Sequence, residues 1–198
     1  MKYSINKLFT PAECTEIINY AESNGVVFSY TRESHWDCKR IDKSTFSEGI
    51  INRVKNHQHE NIDSGWNPFK DYALKNYAIS LTKYYDGRWL DLHLDQKSNI
   101  TTVIVLSDNF VDGRFMLSDS SKLKNGASKA VPLLGSIPSS RVDDAKKINL
   151  DIGESITFNG TTTYHGVMPV TAGIRYALNI WMTDQEYTFI VPSKKTPI

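Results

Sequence analysis

A chain of 198 residues, 40% hydrophobic and 23% charged, carries 23 Lys plus Arg against 22 Asp plus Glu, for a formal net charge of +1. That length suits a single domain, which at this size buries roughly 70% of its unfolded surface and needs no disulfide or structural metal to fold. The neutral balance gives no clear nucleic-acid signal and no basic face for an anionic membrane.

No run approaches the ~18 consecutive apolar residues of a membrane span. Met1 to Thr10 lacks the apolar core of a secretion signal, so a cytoplasmic protein is expected. Cys14 and Cys38 form neither a zinc-like cluster nor a disulfide framework, and two free thiols are favoured over a bridge.

The first helix announces itself. Thr10 can cap, Pro11 suits the first helical position, and Glu13 follows three residues after the cap. Cys14, Ile17, Ile18 and Ala21 then fall on one face, and Gly25 is placed to stop the helix. A second helix is expected over Ser47 to Ile62, with Ile50, Ile51 and Val54 inward. After Pro68 the texture changes to strands. Tyr77, Ile79 and Leu81 alternate with smaller or polar residues. Ile100 to Leu106 is β-branched and continuous, as a strand buried on both faces requires. Ser155 to Phe158, Tyr164 to Val170 and Arg175 to Met182 read as further strands, with turn signals at Asn159-Gly160 and Ala172-Gly173.

Short strands at this spacing predict a mainly β fold, a β-sandwich or a jelly roll (double-stranded β-helix), with flanking N-terminal helices. The expected organisation is one domain, with a helical part over about 1–65 and a jelly-roll core over about 72–190. The segment from Asp119 to Lys147 is rich in Ser, Lys, Gly and Pro and has no sustained period. It reads as a mobile insertion or as a lid over a site.

Chemistry concentrates in the second half. Residues i and i+2 on an extended strand point the same way, so His93 and Asp95 can reach one metal ion. His165 lies on a later strand. Two histidines and one carboxylate on one face of iron(II) leave three positions open. An oxygenase needs those positions for a bidentate cosubstrate and dioxygen. Ten residues beyond His165 stands Arg175, on a strand where a cation is costly unless it meets an anion. Its planar fork matches a carboxylate.

The series Tyr84-x-x-Gly87, His93-x-Asp95, Gly113, Gly153, Phe158, His165, Pro169-Val170, Gly173, Arg175 and Trp181 resembles the 2-oxoglutarate and iron(II)-dependent dioxygenases, in their prolyl 4-hydroxylase-like branch. The match spans Tyr84 to Met182. The resemblance implies that His93, Asp95 and His165 hold iron(II) and that Arg175 holds the far carboxylate of 2-oxoglutarate. It implies O2 as cosubstrate, with ascorbate as a stimulant. It puts Tyr84 in the cosubstrate pocket and Trp181 beside the substrate, a peptide, protein or small molecule. Tyr85 and Trp89 are further aromatic candidates for substrate contact. Where many relatives have a Tyr assisting the Arg, this chain has Val105, and Thr101 is the candidate to supply a hydroxyl instead. Asp112-Gly113 stands in place of the usual Gly-Gly.

Other functions compete for the same residues. A zinc hydrolase could use the triad with water in the open position, but has no standing need for Arg175. Halogenation is disfavoured because Asp95 is present. A free-amino-acid hydroxylase, a nucleic-acid demethylase and a β-sandwich binding module are the remaining alternatives. His57 and His59 are two apart on the expected second helix and make a poor metal pair. His35 and Trp36 fall in an expected loop.

Overall fold

The computed structural model describes residues 2–27, 37–57, 69, 74–85, 87–95, 97–119 and 145–185. The order of elements is β1 (Tyr3–Lys7), α1 (Pro11–Asn24), β2 (Val26–Val27), β3 (Asp37–Ile41), α2 (Thr45–His57), β4 (Asn76–Tyr84), β5 (Leu90–His93) and β6 (Ile100–Val105). There follow β7 (Phe110–Asp112), β8 (Phe115–Asp119), β9 (Lys146–Ile148), β10 (Glu154–Phe158), β11 (Thr163–Val167), β12 (Val170–Gly173) and β13 (Arg175–Thr183).

The start of α1 follows from its capping residues. The Thr10 backbone N–H donates to Glu13 Oε2 at 2.8 Å, and the Glu13 N–H donates back to Thr10 Oγ1 at 3.3 Å. Glu13 Oε1 also meets Arg53 Nη1 at 2.5 Å, which ties α1 to α2. The Thr10 backbone donor, with Arg53 second, pulls the Glu13 carboxyl from 4.5 down to about 2. A carboxyl lowered on folding contributes stability above its free value and loses it as pH falls through the folded one. Wild-type stability should therefore fall between pH 4.5 and about 2 through this group. Thr10→Ala should cost about 1 kcal/mol at neutral pH, read by chemical denaturation.

Strands assemble into a seven-stranded sheet, β1-β10-β6-β13-β4-β3-β2, a four-stranded sheet, β5-β11-β8-β9, and the pair β12-β7. The pairings between them are antiparallel. Alternation along the central strands divides the core. Ile79 and Leu81 of β4, Ile100 and Ile104 of β6, and Leu178, Ile180 and Met182 of β13 face the apolar sides of α1 and α2. Val103, Ala177, Ile156 and Phe158 face inward, against Phe115, Leu117 and Val167 of the four-stranded sheet. The result is the expected mainly β jelly roll with helices on one outer face. No helix among the described residues is long and apolar enough to cross a membrane.

Several boundaries differ from the sequence reading. The N-terminal part contributes β1, β2 and β3 to the two ends of the seven-stranded sheet, so it is not helical alone. The α2 helix ends at His57, and residues 58–62 lie outside the described set. Asn159-Gly160 does not close a two-residue hairpin, because β10 and β11 belong to different sheets. Asn159 Oδ1 instead accepts from the Thr161 N–H at 3.0 Å and the Thr162 N–H at 3.2 Å, a side-chain turn that carries the chain across the layers. The strand expected from Tyr164 to Val170 is split into β11 and β12, with Pro169 between them. Asp119 closes β8, and Lys146 and Lys147 belong to β9, its paired neighbour. Residues 120–144 of the expected insertion, with His35, Trp36 and His59, lie outside the described residues.

Candidate metal centre and the Arg175 pocket

His93 closes β5 and faces His165 directly across the antiparallel ladder with β11. Opposed residues of such a pair share a face, and the two imidazole rings lie 4.2 Å apart. Asp95 does not continue the strand as expected. It lies beyond the end of β5, where its N–H donates to the Gly160 carbonyl at 2.9 Å. That bond turns the carboxylate onto the histidines. Asp95 Oδ1 is 3.5 Å from His93 Nε2, and Oδ2 is 3.3 Å from His165 Nε2. One ligand atom from each residue falls within 4.8 Å of the others.

His165 Nδ1 lies 3.2 Å from the Thr163 carbonyl, which can only accept. The ring proton therefore sits on Nδ1, and in the neutral ring Nε2 presents its lone pair to the centre. Burial holds His165 below its usual pKa, with attraction to Asp95 opposing incompletely. Burial pushes the Asp95 carboxyl up, but His165 and His93 outweigh it and hold the group far below the usual range. An ionised carboxylate and a neutral imidazole converging on one point are the donors a divalent cation requires. The Thr163 carbonyl and the packed Phe158 ring, 4.6 Å from that of His165, fix the ring orientation, as supporting groups do around metals.

Arg175 opens β13 and pairs in register with Tyr84 of β4. It is 1% exposed, and no carboxylate among the described residues pairs with it. Its guanidinium lies 5.6 Å from the Tyr84 ring and 6.0 Å from that of Phe110, and Nη1 has no hydrogen-bond partner. Burial pulls its pKa down, with the Tyr84 hydroxyl acting weakly the other way. Arg175 lines a cavity of about 180 Å³ together with Val105, Phe110, Gly113, Phe115 and Leu150. That is roughly the room of six waters. A buried donor with an open bonding direction beside such a space suits a small anion. The triad does not line this cavity. Phe115 connects the two, since it forms part of the cavity wall and its ring lies 6.1 Å from that of His165.

The floor of the cavity needs a glycine. Gly113 has φ of +64°, and a Cβ there would lie 2.7 Å from Val170 Cγ2 and 3.1 Å from Arg175 Cδ. Asp112 also adopts a positive φ, 62°, which Asp tolerates better than most residues. Its Oδ2 accepts from Thr171 Oγ1 at 2.6 Å. Asp112 thus fits where the resemblance has a first glycine.

No family model matches the sequence, and no curated protein is similar to it in sequence. Solved structures do share its architecture. A member of the 2OG-Fe(II) oxygenase family from Burkholderia pseudomallei superposes with a TM-score of 0.59 at 14% identity, over 92% of this chain and 86% of that one. HygX from Streptomyces hygroscopicus, with nickel and 2-oxoglutarate bound, gives 0.63 at 12% identity over 94% and 84%. A prolyl hydroxylase from Trichoplax adhaerens, in complex with a peptide fragment of the hypoxia inducible factor oxygen degradation domain, gives 0.60 at 17% identity over 92% and 83%. The chain has the fold of the 2-oxoglutarate–iron(II) oxygenases.

Within this oxygenase fold the remaining candidate residues fall in different places. Tyr84 is buried beside Arg175, and burial pushes its phenol up to about 12, so it stays neutral. Thr101 is not beside Arg175. It sits four residues along β6 from Val105, roughly 13 Å away at about 3.3 Å per residue, and its hydroxyl donates to Asp95 Oδ2 at 2.7 Å. The role expected for it, assisting Arg175, is corrected by that bond. Trp181 pairs in register with Thr101 and by alternation shares the face of Arg175 and Ala177. Tyr85 spends its hydroxyl on Asp37 Oδ2 at 2.9 Å, with the Arg88 guanidinium 4.4 Å above its ring. Trp89 is half-buried just ahead of β5. The sequence reading missed Gly160, Phe115 and the Thr163 carbonyl; only Gly160 carried a signal, and it read as a turn.

Proposed function

We propose that the protein is an iron(II)- and 2-oxoglutarate-dependent dioxygenase that hydroxylates prolyl residues in a peptide or protein. The observation that carries the reading is the buried Arg175, whose Nη1 lacks a partner at the edge of a small cavity, with Phe115 standing between that cavity and the His93, Asp95, His165 group. A hydrolase using the same triad has no use for that cation.

His93, Asp95 and His165 hold the metal, and Arg175 binds the far carboxylate of the cosubstrate, with Tyr84 packed beside it. When bound, iron(II) supplies dioxygen activation at its open positions. Atoms balance as follows: one oxygen of O2 enters a substrate C–H bond as hydroxyl, and the other enters succinate as 2-oxoglutarate releases CO2. The electrons come in equal pairs from that C–H bond and from the decarboxylation. Ascorbate would serve as a reductant that keeps the metal ferrous. The chain acts as a single domain of this kind, with Trp181, Tyr85 and Trp89 as the aromatic groups offered to substrate.

The prolyl assignment is supported by the Trichoplax adhaerens structure, which holds a peptide, and by the resemblance of the motif series to prolyl 4-hydroxylases. Proline-rich segments are preorganised and lose little entropy on docking against aromatic side chains. Incubation with proline-containing peptides and, separately, with free amino acids tests it by mass spectrometry. A peptide should gain the mass of one oxygen atom. Oxidation of a free amino acid with no peptide turned over would move the assignment to small-molecule hydroxylation.

A further inference from the structure

We infer that Thr101 is the positioning residue of the metal centre: its hydroxyl occupies Oδ2 of Asp95 and leaves Oδ1 as the one oxygen offered to a metal. The inference rests on the proposed metal centre and adds to it a residue that decides how that carboxylate binds.

Thr101 is 1% exposed, and its Oγ1 lies 2.7 Å from Asp95 Oδ2 and 3.1 Å from Ser98 Oγ. The hydroxyl has a single proton. Ser98 Oγ sends its own proton to the Ile100 carbonyl at 2.7 Å and so could only accept from Thr101, but at 3.1 Å it is the longer and neutral alternative; the ionised carboxylate at 2.7 Å takes the Thr101 proton. Thr101 is flanked in register by Phe158 on β10 and Trp181 on β13, and a β-branched side chain in a central strand has little rotamer freedom. The donor is therefore fixed before any metal arrives.

The surrounding backbone is shaped to this contact. A Cβ on Gly160 would lie 2.4 Å from Thr101 Oγ1 and 3.1 Å from Asp95 Cβ. The same glycine takes the Asp95 N–H on its carbonyl at 2.9 Å. Only glycine lets the β10–β11 turn hold Asp95 and leave room for the hydroxyl. The function of the contact follows from coordination counting. Oδ2 stands 3.3 Å from His165 Nε2 and would otherwise be open to the same ion. A carboxylate bound through both oxygens consumes a further coordination position. Held through one, it leaves three for a bidentate cosubstrate and dioxygen.

Cobalt(II) is the probe, because its visible absorption reports coordination number and its binding needs no turnover. Thr101→Val removes the hydroxyl at constant shape, and Thr101→Ser keeps it. The Val variant should bind cobalt(II) about 10–100-fold more weakly, the usual effect of losing such a supporting bond, with an altered spectrum. Its KM for 2-oxoglutarate should rise, and the Ser variant should recover most of both. Thr101→Ala must show the same loss if the Val variant fails to fold. Wild-type affinity and spectrum in folded Thr101→Val would overturn the inference, as would a Ser variant as impaired as Val, which would assign the effect to packing. Wild-type protein that binds no cobalt(II) would overturn the metal centre together with it.

Discussion

His165→Ala should abolish iron(II)-dependent succinate formation, and His93→Ala should do the same. The two rings pair across one ladder at 4.2 Å and supply two of the three converging donors. Removing a supporting residue around a metal costs about 10–100-fold in affinity. Deleting a ligand must exceed that, because it leaves Asp95 and a single imidazole. Metal titration by calorimetry checks the binding part, and succinate quantitation checks turnover. Each variant should stay folded, since the helix-facing core of Ile79, Ile104, Leu178 and Ile180 lies on the other side of the seven-stranded sheet. A His165→Ala variant with wild-type iron affinity would remove that residue from the centre.

Arg175 should separate cosubstrate binding from metal binding. On the proposed function, Arg175→Ala would leave the far carboxylate of 2-oxoglutarate without its partner. Breaking a buried charged pair costs roughly 3–5 kcal/mol, or two to three orders of magnitude or more in affinity. Iron affinity should change little, because Arg175 lines a cavity that the triad does not, with Phe115 between them. Arg175→Lys should recover little, since a point charge does not reproduce the planar fork. Stability supplies an independent reading. An unpaired Nη1 in the ligand-free protein is a cost. Arg175→Met should therefore leave that protein at least as stable while destroying 2-oxoglutarate binding. A Met variant that unfolds readily yet binds 2-oxoglutarate as before would make Arg175 structural.

The sequence was legible where local chemistry decides the outcome. Thr10, Pro11 and Glu13 place the start of α1 because capping is settled within four residues. Ile100 to Leu106 reads as a doubly buried strand because its β-branched run has one comfortable conformation. The convergence of His93, Asp95 and His165 was visible in their order because a metal site calls for those residue types.

What escaped depends on which segments meet. Asp37–Ile41 (DCKRI) carries three charges and pairs near the sheet edge, between β4 and the two-residue β2, so it shows little hydrophobic alternation. Asp95 lies off the strand because the Gly160 carbonyl, from a turn 65 residues later, captures its N–H. The hydroxyl of Thr101 was expected near Arg175, since nothing local reveals that it stands at the opposite end of β6, under Asp95. Asn159-Gly160 looks like a hairpin turn until the two flanking strands are found in different sheets.

The most direct measurement uses isotopically labelled dioxygen. Protein loaded with iron(II) is given 2-oxoglutarate together with the peptide and amino-acid panel, and the label is followed into succinate and into the oxidised substrate. Succinate and substrate should each carry one labelled oxygen, in equal amounts, with iron(II) but not with zinc(II), and not in His165→Ala. Unlabelled products formed by the zinc(II) protein in the absence of 2-oxoglutarate would contradict the account and identify a hydrolase built on the same three residues.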